Sequence, residues 1–396
     1  MSEEESQNQN SYRYDFKSWE DENINLNTKL LRGIYAYGFE NPSAIQQKAI
    51  YPFIKEPSRD IIAQAQSGTG KTGSFTIGIL QKINVSEDVT QAFILAPTHE
   101  LAQQSKTVLD ELGRFLKVKT KLLIGGTSVD QDKKDLTNDV PHIIVGTPGR
   151  VHDMIRRKYI NTDKLKMLVI DEADEMLSTG FKSQMYKIFQ FLPNNIQIGL
   201  FSATMSEELE DLAQKIMQNP IKILVKKEQL TLQGISQYFI NINNDFQKYE
   251  TLKDIFGVLA ISQSIIYCNS VKRVDDLEEA MLEDNFPVKK IHGKMPEKER
   301  KEIFKQFKSG GARVLITSDL FARGIDVQQV NIVINFDIPK SEHTYLHRIG
   351  RSGRWGRKGI AINFQSKSDI SKLKRIEEYY NTQIEEMPAA WADHLN

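Results

Sequence analysis

Asp60-Ile61-Ile62-Ala63-Gln64-Ala65-Gln66-Ser67-Gly68-Thr69-Gly70-Lys71-Thr72 is the stretch on which the fold turns. Residues Asp60–Ala65 are mostly apolar and suit a buried strand. Ala65–Thr72 form a Gly-rich turn that opens the helical pattern Lys71–Ile83. A strand, a Gly-rich turn and a helix are the context a phosphate loop needs. Glycines let backbone N–H groups approach phosphates, and the helix N-terminus adds a favourable dipole. In this reading Ser67, Gly68, Thr69 and Gly70 cradle the phosphates, Lys71 meets the β- and γ-phosphates and Thr72 holds Mg²⁺. The strict pattern opens with Gly, and this chain has Ala65 there.

Downstream, the apolar run Met167-Leu168-Val169-Ile170 leads into Asp171-Glu172-Ala173-Asp174. An acid at the carboxyl end of a buried strand projects into the crevice where ligands of open α/β sheets bind. Asp171 is placed to bind Mg²⁺, directly or through water, and Glu172 to polarise an attacking water. Alone, these acids also suit a solvated turn; a phosphate loop upstream favours the metal reading.

The same alternation runs through both halves. Strands are expected at Asp60–Ala65, Gln91–Pro97, Thr120–Gly125, His142–Gly146, Met167–Asp171 and Gln197–Ser202, with helices such as Ser43–Ile50, Lys71–Ile83 and Glu100–Leu116 between them. A second series follows: Ser264–Asn269, Val288–His292, Ala312–Thr317, Ile332–Phe336 and Gly359–Phe364. Its helices include Val271–Glu283, Glu297–Phe307 and Asp369–Tyr380. Strands spaced by helical patterns imply βαβ units and parallel sheets. Strands apolar throughout imply sheets covered by helices on both faces. The fold class is therefore α/β, as two similar domains in tandem, and only the first carries a phosphate loop. Expected boundaries are a disordered tail at 1–15, an ATP-binding domain at 16–225, a polar linker at 226–235 and a second domain at 236–396.

Bulk composition narrows the partners. The 396 residues carry 52 Lys+Arg and 52 Asp+Glu, so any nucleic-acid affinity must come from local patches. One cysteine, Cys268, makes no internal disulfide and no cysteine zinc site, which fits a reducing compartment. Met1-Ser2-Glu3-Glu4-Glu5 is acidic rather than signal-like, and no apolar run has membrane-helix length. His347–Lys358 holds Arg348, Arg351, Arg354, Arg357 and Lys358 with no acid among them. Such a cluster is either a solvated basic face or the partner of an anion. The incomplete phosphate site of the first half favours a triphosphate.

Taken in order, the phosphate loop, Asp171–Asp174, Ser202-Ala203-Thr204 and His347-Arg348-Ile349-Gly350-Arg351-Ser352-Gly353-Arg354 resemble the motif set of DEAD-box RNA helicases. Further matches are Gly38–Gln46, Gly125-Gly126, Thr147-Pro148-Gly149-Arg150 and Ala322-Arg323-Gly324-Ile325-Asp326. The resemblance covers roughly residues 16 to 396. Leu31–Phe39, Ile223–Lys227 and Ile384–Pro388 carry a closer match to the branch that serves cap-dependent translation initiation, with the nuclear exon-junction branch as near alternative.

What the resemblance implies is specific. The domains are RecA-like, the ligands are ATP, Mg²⁺ and single-stranded RNA, and the partner is a helical-repeat scaffold of the initiation factor 4G type. The catalytic unit is a monomer, is cytoplasmic (nuclear for the exon-junction branch) and touches no membrane. Gln46 reads the adenine edge through its amide, and Trp19, chosen over Phe16, stacks on the ring. Ser202 and Thr204 bond Asp174 and couple the ATP and RNA sites. Pro97, Thr98, Gly125, Gly126, Thr147, Gly149, Arg150 and Thr317 contact the RNA backbone. Arg351 and Arg354 complete the ATP site from the second domain, joined by Gly324 and Asp326. Three residues depart from the family pattern: His99 where Arg is usual, Lys294 where Asp is usual and Trp355 where Phe is usual.

Two other classes share parts of the pattern. An ATP-gated RNA clamp with low turnover has every motif. A P-loop small-molecule kinase has the phosphate loop, but the second α/β series and the arginine segment argue against it.

Overall fold

Alternate residues of a covered strand face opposite sides, so a strand apolar at every position must be packed on both. The computed structural model, which describes residues 14–65, 68–177, 181–224, 235–258, 263–319, 330–352 and 359–388, has that arrangement. Along Ala92–Leu95, Ala92 and Ile94 enter one core cluster while Phe93 and Leu95 enter another. In the second half, Ile265 and Tyr267 separate from Ile266 in the same manner.

The chain divides into two units at Val225/Lys226. The first holds β1 (Ile61–Gln64), β2 (Ala92–Leu95), β3 (Thr120–Leu123), β4 (Ile143–Gly146), β5 (Met167–Asp171), β6 (Gln197–Ser202) and β7 (Ile221–Ile223). They form one parallel sheet in the order β3-β4-β2-β5-β6-β1-β7. The second holds β8 (Ile235–Asn241), β9 (Gln263–Tyr267), β10 (Val288–Ile291), β11 (Val314–Thr317), β12 (Val330–Asn335), β13 (Gly359–Gln365) and β14 (Glu385–Glu386). Its sheet, also parallel, runs β10-β11-β9-β12-β13-β8-β14. Among the described residues, helices link most successive strands within each unit, as parallel pairing requires of its crossovers.

Three strands lie outside the sequence expectation: β7, β8 and β14. Ile235-Ser236-Gln237-Tyr238-Phe239-Ile240-Asn241 mixes polar with apolar residues, and its first residue falls in the expected linker. Pairing between β13 and β14 turns it into an interior strand. Residues 1–13 of the expected tail and residues 226–234 of the expected linker lie outside the described residues, as does residue 225 before them. Tyr14, which the tail reading included, packs its ring 5.2 Å from Tyr51. Among the described residues, no helix is long and apolar enough to cross a membrane.

One glycine sets a helix contact in the first unit. A Cβ at Gly33, inside the helix Thr28–Tyr37, would lie 2.1 Å from the Leu112 carbonyl oxygen. Backbone cannot yield as a side chain can, so the helices Thr28–Tyr37 and His99–Leu112 must separate to admit a methyl group. Gly33→Ala is expected to destabilise the first unit by roughly 1–3 kcal/mol, read as a lower urea midpoint. An unchanged midpoint would show that these helices are not in this contact.

Candidate nucleotide site and nucleic-acid face

The carboxyl ends of β1, β5 and β6 are neighbours in the first sheet, and three of the expected motifs leave from them. Gly68 and Gly70 adopt φ of 81° and 104°, the left-handed region that favours glycine. Lys71 begins the helix Lys71–Lys82, and Thr69 and Thr72 are half-buried beside it. Ser67 lies outside the described residues.

Lys71 Nζ reaches Glu172 Oε1 at 3.3 Å and Oε2 at 3.4 Å, with both side chains buried. Asp171 is buried at the end of β5 and accepts the Glu172 N–H at 3.0 Å. Burial, with Glu172 beside it, pushes the Asp171 carboxyl up to about 7. A raised value means that the charged form is disfavoured there, and a cation brought beside it would lower it again. Glu172 has φ 47° and ψ 53°, a left-handed conformation that costs a non-glycine residue on the order of 1–3 kcal/mol. That turn carries the chain from β5 into the short helix Ala173–Met176.

Asp174 is held from β6. Ser202 Oγ donates to its Oδ1 at 2.6 Å, and Thr204 Oγ1 donates to its Oδ2 at 2.8 Å. The expected contact between Ser202, Thr204 and Asp174 is therefore present, and it ties two strand ends together.

Gln46 is buried and sits over the start of the phosphate-loop helix. A Cβ at Gly70 or Gly73 would meet its Nε2 at 2.9 or 2.7 Å, so glycine at both positions makes room for the amide. Its Oε1 already accepts the Ser43 N–H at 2.7 Å, which caps the helix Ala44–Ile54 and fixes the amide plane. Nε2 and one oxygen lone pair remain for an adenine edge.

Trp19 departs from expectation. It is 1% exposed, stacked on Phe39 at 6.4 Å and tilted against Phe16 at 5.8 Å. Burying the indole between aromatic rings leaves neither face open to a base in this conformation. Phe39 is the ring that borders Gly73 and so stands beside Gln46.

The remaining carboxyl ends of the sheet, β3, β4 and β2, carry the expected RNA residues of the first unit. Pro97 and Thr147 are buried, Thr98 and Gly125 are half-buried, and Gly126 and Gly149 are exposed. Thr98 Oγ1 accepts the Leu101 N–H and caps the helix His99–Leu112. His99 stands against Gly125, its Nε2 3.3 Å from where a Cβ would be. Arg150 turns inward. Its Nε donates to the Ile124 carbonyl at 3.0 Å, and Nη2 donates to the Thr127 carbonyl and hydroxyl. Three of its donors hold the Gly125–Gly126 turn in this way.

In the second unit, Thr317 corrects the expectation more sharply. It is fully buried, and its hydroxyl lies 2.8 Å from the Ile291 carbonyl, which ties β11 to β10. A hydroxyl so enclosed offers RNA nothing here. Arg348, counted among the anion-seeking cations, is also fully buried and bonded on three sides within its own unit. Arg351 is 3% exposed, and its Nε donates to the His347 carbonyl at 3.0 Å. Gly324, Asp326, Arg354 and Trp355 lie outside the described residues, and Lys294 is exposed. Asp337 escaped the sequence reading. It follows an apolar strand as Asp171 does, and that signal could have found it.

A phosphate-loop lysine paired to the acid of a parallel-sheet crevice defines the class: a nucleotide-hydrolysing α/β enzyme. Residues 43–212 match the DEAD/DEAH box helicase family, and residues 247–356 match the helicase conserved C-terminal domain. The chain is 52% identical over 372 residues to eukaryotic initiation factor 4A of Caenorhabditis elegans, covering 94% of this chain and 92% of that protein. It is 53% identical over 370 residues to the ATP-dependent RNA helicase eIF4A of Coccidioides immitis, covering 93% and 92%. Among solved structures it is similar to Saccharomyces cerevisiae Dbp5 bound to RNA and ADP BeF3, with TM-score 0.89, 35% identity and coverage of 96% and 98%. Mss116p bound to single-stranded RNA and AMP-PNP gives TM-score 0.83 at 27% identity, covering 94% and 79%. The chain belongs to the DEAD-box family of ATP-dependent RNA helicases, on the branch of the initiation factor 4A proteins.

Proposed function

We propose that this helicase acts in cap-dependent translation initiation, coupling ATP hydrolysis to local separation of RNA strands. The ATP-binding domain is residues 16–225 and the second domain residues 236–396, with 226–235 as linker. The observation that carries this reading is the division of one carboxyl edge. Its β5, β6 and β1 ends gather acids and a lysine, and its β3, β4 and β2 ends gather glycine turns and helix N-termini.

Thr72 and Asp171 offer the hard oxygen donors that suit Mg²⁺, and a cation there would lower the raised Asp171 carboxyl again. Bound Mg²⁺ supplies neutralisation of phosphate charge. Lys71 orients the β- and γ-phosphates, and Gln46 sets the base. Glu172 accepts the proton of the attacking water. Asp174, held by Ser202 and Thr204, keeps β6 in register with the acid strand end. Arg351 and Arg354 complete the triphosphate site, with Gly324 and Asp326 beside the nucleotide. The partner is a helical-repeat scaffold of the initiation factor 4G type, and the site of action is the cytoplasm. The low-turnover clamp reading gains nothing from relatives that are themselves initiation factors.

RNA held through turns and helix N-termini is gripped by its backbone and 2′-OH groups, not read by base. ATP turnover should therefore rise with single-stranded RNA of any sequence, and equal-length DNA should leave it near basal. Affinity should be moderate and salt-sensitive, with a slope set by the few cations that can face phosphate on a chain of zero net charge. DNA stimulation equal to that of RNA would sink the backbone reading.

A further inference from the structure

The two sheets share one strand plan, so position matches β1 with β8, β5 with β12 and β6 with β13. The helix after β1 carries Lys71, and the helix after β8, Asp245–Val258, carries Lys248. The acids Asp171 and Glu172 mark the end of β5, and Asp337 follows β12. Lys248 Nζ lies 3.1 Å from Asp337 Oδ1, both side chains about a tenth exposed or less. The second unit therefore has a counterpart of the Lys71–Glu172 pair in the same place in its fold.

Its surroundings are opposite in kind. In the first unit one lysine serves a strand end with three acids. In the second, one acid receives two cations and an amide: Lys248, Arg273 Nε at 2.7 Å and the Asn269 N–H at 3.1 Å. Arg273 extends on to Asp245 at 2.9 and 3.1 Å. The loop before that helix has no glycine. Asn243 N–H donates to Gln247 Oε1 and Gln247 N–H to Asn244 Oδ1, each at 2.8 Å, so the helix start is capped by its own side chains. A cavity of ≈310 Å³ persists there, with Lys248, Arg273, Asp337 and Ser366 in its wall. Its charges are matched internally, and a phosphate would have to break those pairs.

The matched cluster reaches further. The Asp337 carbonyl accepts Arg348 Nη1 at 2.7 Å, Asn269 Oδ1 accepts Nη2 at 2.8 Å and Asn335 Oδ1 accepts Nη1 at 3.2 Å. Arg348 Nε pairs with Asp319 beyond β11, and the guanidinium lies 5.2 Å from the Tyr267 ring centroid. Strand ends β9, β11 and β12 thus meet on one arginine of the helix Glu342–Ile349. The next turn of that segment carries Arg351, whose N–H bonds the Arg348 carbonyl at 3.2 Å.

We infer that Asp337 is a positioning residue for ATP hydrolysis: its carboxylate, held by Lys248, Arg273 and Asn269, anchors the backbone whose carbonyl holds Arg348, and Arg348 fixes the turn that presents Arg351. The inference rests on the proposed role of Arg351 at the triphosphate. Asp337→Asn keeps the shape but sets two cations around a neutral amide.

The test is a double-mutant cycle in the full-length chain, read as single-turnover ATP hydrolysis at saturating RNA. Asp337→Asn is expected to slow hydrolysis by about 10-fold to 10²-fold, the scale of a misplaced catalytic group, with the KM for ATP and the RNA affinity little changed. Combined with Arg351→Gln, it should add nothing to the loss from Arg351→Gln alone, because both act through one group. Multiplying losses in the double variant, or near-normal hydrolysis by Asp337→Asn while Arg351→Gln is slow, overturns the inference. Normal hydrolysis by Arg351→Gln instead overturns the reading of Arg351 on which it stands. Should Asp337→Asn not fold, Asn269→Ala, which removes one acceptor of Arg348, carries the same expectation and the same cycle.

Discussion

Arg351→Gln is expected to lower RNA-stimulated ATP hydrolysis by about 10³–10⁵-fold, the effect of losing an arginine finger, while the protein still binds ATP. The first unit supplies a lysine and acids to the triphosphate, but no arginine of its motifs is turned towards it. Arg150, the arginine of Thr147–Arg150, is spent on the Gly125–Gly126 turn. A planar guanidinium grips phosphate oxygens in pairs and neutralises charge as the bond breaks, which a glutamine amide cannot do. The bond from Arg351 Nε to the His347 carbonyl fixes the orientation of the fork. Arg354→Gln should behave alike. The check is nucleotide binding and turnover measured on the same preparations. Turnover within a few-fold of the parent would remove Arg351 from the chemistry.

Glu172→Gln is expected to bind Mg-ATP and RNA and to lose hydrolysis by about 10²–10⁴-fold, the usual cost of removing a general base. The hydrogen bonds in the site single this acid out. Both oxygens of Asp174 accept hydroxyls from Ser202 and Thr204. Asp171, buried at the end of β5, is the acid assigned to Mg²⁺ and is not left to take a proton from water. Glu172 faces Lys71 across a 3.3 Å pair that nucleotide phosphates would compete for, which frees its carboxylate in the bound state. Gln keeps the shape but cannot take a proton. A Glu172→Gln variant with near-normal turnover would send the water-positioning role elsewhere.

Much of the fold was legible because its signals are local. Strand periodicity and the helical pattern at Val271–Glu283 depend on neighbours a few residues apart, and that helix forms with the bounds its pattern predicts. The strand β8 was not legible. Ser236 and Gln237 dilute its apolar pattern, and only partners far along the chain, β13 and β14, hold it in the sheet.

The site divides on the same line. The placement of Lys71, Asp171 and Glu172 follows from the sequence, since a Gly-rich turn and an acidic strand end put side chains at a sheet's carboxyl edge wherever the strands lie. The pairing of Asp174 with Ser202 and Thr204 was also readable, but through family resemblance. What a given polar group faces was not. Arg348, Arg351 and Arg354 look alike as a basic run, yet Arg348 is completely enclosed among Asn269, Asn335 and Asp319. Thr317 and Trp19, expected as ligand contacts, are interior. Lys248 and Asp337, 89 residues apart, meet only because β8 and β12 flank β13 in the sheet. Charge and hydrogen-bonding capacity belong to the residue type. Burial and partner choice depend on strand order, and desolvation then compels each buried charge to find the acceptors that the packed strands bring within reach.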